Sequence, residues 1–182
     1  SPGTYTVRLN VNGKSYTQPV TVTADPRLSM SASDYDNQLS FSLSLRDEIT
    51  RLTRMVEGIR SIRAQVKGRK DIVKDDKNAA EWMKLADALL PKLDAIEEKL
   101  HNPKAEVTYD ILAFKGGAKL YSRLSPLYSF VVENDGVPTQ GMREVFATYR
   151  AEMDAVAAES SALLAGDIAT LNKATGPAIV VP

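Results

Sequence analysis

The chain has 182 residues, 43% of them hydrophobic and 25% charged, the proportions of an ordinary soluble globular protein. At this length roughly two-thirds of the unfolded surface is buried on folding, so neither a disulfide nor a metal is needed for stability. Basic and acidic residues balance at 23 each, which removes the positive field that non-specific nucleic-acid binding requires. The absence of cysteine excludes thiol catalysis, thiolate metal sites and disulfides, and suits a cytoplasmic or an extracytoplasmic bacterial setting equally. No apolar run approaches the ~20 residues of a membrane span, and no signal peptide is present. The opening Ser1-Pro2-Gly3 runs straight into a strand without an initiator Met. It reads as the start of an excised fragment or mature product, so the missing leader says nothing about where a parent protein goes.

Residues 4 to 23 alternate strictly. Tyr5, Val7, Leu9 and Val11 fall on one face, and Thr4, Thr6, Arg8 and Asn10 on the other. Asn12-Gly13 predicts a type I′ turn, whose two central residues both need positive φ. Closing that turn sets Leu9 opposite Tyr16 and Tyr5 opposite Val20, so the apolar faces coincide. Pro19 lacks a backbone donor and favours an edge position for the return strand. A lone hairpin is marginal in water, so these strands either pack on the helices or are the last two of a β-sandwich.

Asp25-Pro26 ends the hairpin. A first helix is predicted from about Asp34 to Lys67, capped by Ser33 or Asp34 and roughly 50 Å long. Its stripe is Leu45, Ile49, Leu52, Val56, Ile59, then Ile62 or Arg63, then Val66. Gly58 weakens it and Gly68 is a natural stop, with residues 68–78 a solvated loop. A second helix spans about Asn78 to Leu100, with Trp82, Leu85, Ala86, Leu89, Leu93, Ile96 and Leu100 inward and a kink at Pro91. Residues 104–117 are the least periodic. A third helix carries Leu120, Leu124, Leu127, Tyr128 and Val131, with a bent or late start from Pro126. A fourth, capped by Thr139, carries Met142, Val145 or Phe146, Tyr149, Met153, Val156, Ser160 and Leu163 or Leu164. Gly166-Asp167 interrupts it, and the apolar tail 177–182 lies extended across the bundle. The expected fold is mostly α, an up-and-down four-helix bundle (28–182) preceded by a β-hairpin (1–27).

The candidates for chemistry are weak. Gly13-Lys14-Ser15 ends like a phosphate-binding loop, but Arg8 stands where the first glycine belongs and a strand follows instead of a helix. Glu98 and His101 have the Glu-x-x-His spacing of di-iron bundles, which need that motif twice, and this chain has one histidine. No Gly-x-Ser-x-Gly elbow supports a Ser-His-Asp hydrolase. The adjacent pairs Asp47-Glu48, Asp75-Asp76 and Glu97-Glu98 diverge by about 100° on a helix and read as solvated faces; carboxylates distant in sequence remain open as a third, hydrolytic reading. Metal and cofactor sites are not predicted. Tyr109, Phe114, Tyr121 and Tyr128 cluster before and within the third helix. At helical spacing they read first as core, with a sugar- or peptide-binding groove as the alternative. Residues 45–70 carry a net +5 and residues 141–170 a net −3. Helices one and four are therefore expected to be neighbours, with a basic face for an acidic partner as the second reading.

Several stretches resemble one family. Pro2-Gly3-Thr4-Tyr5-Thr6-Val7, Val11-Asn12-Gly13-Lys14-Ser15-Tyr16-Thr17-Gln18 and Asp25-Pro26-Arg27 are similar to the C-terminal junction of bacterial BNR-repeat, sortilin (VPS10)-like β-propeller proteins often labelled glycosyl hydrolases. Leu120-Tyr121-Ser122-Arg123-Leu124, Leu127-Tyr128 and Asp135-Gly136-Val137-Pro138-Thr139-Gln140 add to it. The resemblance implies that the hairpin ends an immunoglobulin- or fibronectin-like sandwich and leads into a helical tail. It implies an extracytoplasmic parent (periplasmic, secreted or surface) and upstream sandwich and propeller domains as partners. The hydrolase label belongs to the propeller and supplies no catalytic residue here. The expectation is a non-catalytic module for protein–protein packing or for dimerisation through helix one, with accessory glycan or peptide binding as the alternative.

Overall fold

The computed structural model describes residues 1–105, 116–174, 176 and 178–182. Strands β1 (Gly3–Val11) and β2 (Lys14–Val22) form the antiparallel hairpin. Asn12 and Gly13 have φ of 48° and 77°, both positive as a type I′ turn demands. The register pairs Leu9 with Tyr16 and Tyr5 with Val20, as the alternation predicted.

Helix α1 runs from Ala32 to Val73, 42 residues. Its cap is Ser31, earlier than expected, because Ser31 and Asp34 form a reciprocal capping box: the Ser31 Oγ accepts from the Asp34 amide at 3.2 Å, and the Ser31 amide donates to the Asp34 carboxylate at 2.9 Å. The helix also passes through Gly68. A glycine stops a helix by adopting positive φ, and Gly68 does not. Beyond it, Val73 packs on the core and Lys70 pairs with Asp87, which holds the extra turn in place. The predicted loop 68–78 therefore shrinks to residues 74–76 plus one turn of 3₁₀ helix, Lys77–Ala79, capped by Asp76.

Helices α2 (Ala80–Leu100) and α3 (Leu120–Val132) each contain their proline, Pro91 and Pro126, within the helix. Helix α4 (Gln140–Leu163) begins at Thr139, whose Oγ1 accepts from the Met142 amide at 3.2 Å. Gly166-Asp167 does not break the chain's helical course. Leu164–Ile168 widens into a π-type turn, and the helix resumes as α5 (Ala169–Lys173).

Ion pairs and ring contacts fix the directions. Lys70 meets Asp87 while Arg60 meets Glu97, so α2 runs antiparallel to α1. Gln38 donates to the Val131 carbonyl at 3.3 Å, and Tyr121 lies beside Leu52–Arg60, so α3 is also antiparallel to α1. Phe41 meets Phe146 edge-to-face at 5.5 Å, and Arg51 meets Asp154 at 2.6 Å, which sets α4 parallel to α1. The four helices thus run up, down, down, up. Helices α2 and α3 follow one another along the length of α1, and their ends meet over Leu52–Arg60.

The core is continuous from end to end. The predicted stripes are buried: Leu45, Leu52, Val56, Ile59 and Val66 from α1, and Trp82, Ala86, Leu89, Leu93, Ile96 and Leu100 from α2. Where the sequence left alternatives, Ile62, Phe146 and Leu163 are the buried members.

Candidate interaction surface

Every residue of both strands is exposed. On one face of the hairpin, Tyr5, Val7, Leu9, Val11, Tyr16, Val20 and Val22 are between 45% and 59% exposed. Together they present on the order of 700 Å² of surface, against ~300–600 Å² for the largest apolar patch of a typical monomer and ~800 Å² per partner in a stable interface. The helices do not cover this face.

The two edges of the hairpin differ. In a two-residue hairpin the pair flanking the turn is hydrogen-bonded and bonded pairs alternate with unbonded ones. With Val11 opposite Lys14, the amides of Thr4, Thr6, Arg8 and Asn10 point outward from β1, and those of Ser15, Thr17 and Thr21 from β2. Pro19 falls in the outward set of β2, opposite Thr6. It interrupts that edge and leaves the β1 edge with an unbroken row of donors and acceptors.

Of the aromatic candidates, Tyr121 and Tyr128 line different grooves. Tyr109 and Phe114 lie outside the described residues. Tyr121, 40% exposed, stands over a groove of about 280 Å³ with Leu52, Thr53, Val56, Arg60 and His101. Its ring meets the His101 ring edge-on at 6.3 Å. Tyr128 is half-buried against the core and lines a different groove, with Tyr35, Gln38, Leu39 and Leu43. Two turns of helix separate the rings.

His101 ends α2, its backbone N–H donating to the Glu97 carbonyl at 2.9 Å, while Glu98 lies 3.7 Å from Lys104. Glu98 and His101 therefore serve different neighbours. Among the described residues no three His, Asp or Glu side chains gather as metal ligands. In the adjacent pair Asp47-Glu48 each carboxylate faces a cation, Asp47 meeting Arg46 and Glu48 meeting Arg51, whereas Asp76 accepts from the Asn78 amide. Helices one and four are neighbours as their charges suggested, through Arg51–Asp154, but the acidic α4–α5 segment also meets Lys92, Lys99 and Arg123.

Sequence reasoning read Glu48 and Glu97 as solvated, and both are buried, Glu48 against Arg51 and Glu97 more deeply. Glu97 is 3% exposed and takes Arg60 Nε at 2.7 Å and Arg63 Nη2 at 2.5 Å, one on each oxygen. Asp94 lies 2.8 Å from Arg63. Burial alone would push the Glu97 carboxyl up. The two guanidinium hydrogen bonds and charges outweigh it and hold the group below the usual carboxylate range. The only sequence signal was that Glu97 falls one residue after Ile96 on the inward face of α2.

No protein-family model, curated protein or solved structure matches this chain. The helical bundle and its hairpin are thus defined by their own geometry.

Proposed function

We propose that this chain is a non-catalytic module for protein–protein packing: it docks through its hairpin onto a neighbouring β-structure, and the helices act as the rigid body that carries the hairpin. The observation that carries this reading is the seven-residue apolar face of β1 and β2, left open beside a bundle whose own core is closed. The interrupted β2 edge adds a direction, since incoming strands pair with β1. The resemblance noted in the sequence supports an upstream immunoglobulin- or fibronectin-like sandwich of a secreted or surface propeller protein as the neighbour.

The test is photo-crosslinking in the native host. Benzoylphenylalanine at Leu9 or Tyr16, on the apolar face, should form protein adducts. The same probe at Arg8 or Thr17, on the opposite face, should form far fewer. Equal yields from both faces would remove the basis of the proposal.

The second reading is accessory glycan or peptide binding, favoured by one observation: Tyr121 stands half-open over an apolar floor of Leu52 and Val56. A glycan and peptide array probed with the chain and with its Tyr121→Ala variant decides it. Signals that Tyr121→Ala leaves unchanged would exclude this groove.

A further inference from the structure

The C-terminal segment is held in an unusual way for a tail. Ile179 is 3% exposed and joins the core, whereas Val180 and Val181 are 63% and 45% exposed. Two side-chain amides, from different helices, bind the backbone of this stretch. The Asn172 amide donates to the Ile179 carbonyl at 2.8 Å, and its oxygen accepts from the Ile179 N–H at 2.6 Å. The Gln65 amide donates to the Val180 carbonyl at 2.8 Å, and its oxygen accepts from the Val180 N–H at 2.9 Å.

Consecutive residues of an extended chain turn their N–H and C=O groups to opposite sides. Asn172 on α5 and Gln65 on α1 therefore bracket the segment from both flanks, each standing in for one rung of a β-ladder. This recognises a backbone, not a side chain, and is indifferent to all but the one buried aliphatic residue. Val181 and Pro182 then lie along a groove of about 310 Å³ between α1 and α4, lined also by Arg54, Met55, Ile59 and Leu164. At the other end Gly176 lies against the buried ring of Trp82, whose Nε1 has no hydrogen-bond partner.

We propose that this groove is a recognition site for an extended aliphatic peptide of a partner polypeptide, and that residues 178–182 are its occupant in cis. The ligand places an Ile or Val side chain in the Ile179 hole, gives its peptide groups there to Asn172 and Gln65, and lays its next residues along Met55, Ile59 and Leu164. The site lies on the helices, apart from the hairpin, and stands or falls independently of the docking reading.

Trp82 is the single tryptophan of the chain and lies against Gly176, at the N-terminal end of the segment, so its fluorescence reports whether residues 176–182 or the matching peptide are seated. Two full-length variants weaken the cis occupant. Ile179→Asp empties the hole, and Val180→Pro removes the N–H that Gln65 accepts while leaving the core intact. The probe is the synthetic heptapeptide with the sequence of residues 176–182. It should shift the Trp82 emission of either variant saturably. Adding Gln65→Ala or Asn172→Ala should weaken that binding about tenfold, the value of two neutral hydrogen bonds. The wild-type chain should take the peptide at least ~100-fold more weakly, because a tethered occupant acts at millimolar effective concentration.

Four results would overturn the proposal: no saturable shift in a folded variant, binding indifferent to Gln65 and Asn172, both variants failing to fold, or a wild-type dimer in light scattering that Val180→Pro abolishes. The third would make the segment an inseparable part of the core. The fourth would make the occupant the tail of a second copy.

Discussion

Glu97 is a carboxylate placed where most helices of this kind put leucine. It survives there because Arg60 and Arg63 each engage one of its oxygens. Glu97→Gln keeps the shape and removes the charge, leaving Arg63 nearly buried with only Asp94 beside it. Breaking a buried pair costs ~3–5 kcal/mol, and Arg60 is half open to water, so a loss of roughly 2 kcal/mol at neutral pH is expected from urea unfolding. The sign with pH follows from the lowered native carboxyl. Its stabilisation is fully present above the unfolded carboxylate pKa and is lost as the pH falls through the native one. The wild-type advantage over Glu97→Gln should therefore shrink in acid and be unchanged on raising the pH above neutrality. Gly176 makes a second prediction at this scale. A Cβ there would sit 2.6 Å from the Trp82 ring, which the core holds fixed. Gly176→Ala should cost about 1–3 kcal/mol, and a thermal melt unchanged from wild type would contradict that packing.

The hairpin and the first helix show how far sequence patterning reaches at the scale of elements. Asn12-Gly13 and strict alternation give turn type, register and face of the hairpin, because each depends on neighbours within a few residues. The stripes of α1 and α2 are equally local. The start and end of α1 were not legible: Ser31 is chosen over Ser33 by a bond to Asp34, and the helix passes Gly68 because Val73 finds partners on a distant segment. Gly68 has open space where a Cβ would go, so Gly68→Ala should stabilise the protein by about 0.5–1 kcal/mol; a loss of stability would mean that the glycine is structurally required. For the hairpin, proline on the β1 edge should block strand addition and proline on the β2 edge should not. In the crosslinking assay Thr6→Pro should abolish adducts from Leu9, and Thr17→Pro should spare them. Loss with both would show that face packing, and not edge pairing, dominates.

At the scale of the whole molecule, the order up, down, down, up depends on which pairs of helices touch. Length alone hints at it, since α1 has 42 residues and α2 and α3 have 21 and 13. The paired amides of Asn172 and Gln65, 107 positions apart in sequence, left no trace in any periodic pattern. Nor did the separation of Tyr121 from Tyr128, whose spacing of seven puts them on one helical face but over different parts of α1. The hairpin contributes no buried residue to the core. Deleting residues 1–22 should therefore leave the midpoint of thermal unfolding of the bundle almost unmoved. A large drop would show that the strands lean on the helices after all.

The length of α1 has a mechanical meaning. At 1.5 Å per residue the helix is about 60 Å long, and Gln65 lies some 50 Å from its first residue. The hairpin joins one end of this shaft, and Gln65, where the peptide groove starts, sits near the other. A body held at the hairpin and a chain held at the groove would be kept apart by a distance the helix sets, with α2, α3 and α4 as bracing that resists bending. Lengthening or shortening α1 by whole turns would then change that distance without changing either surface.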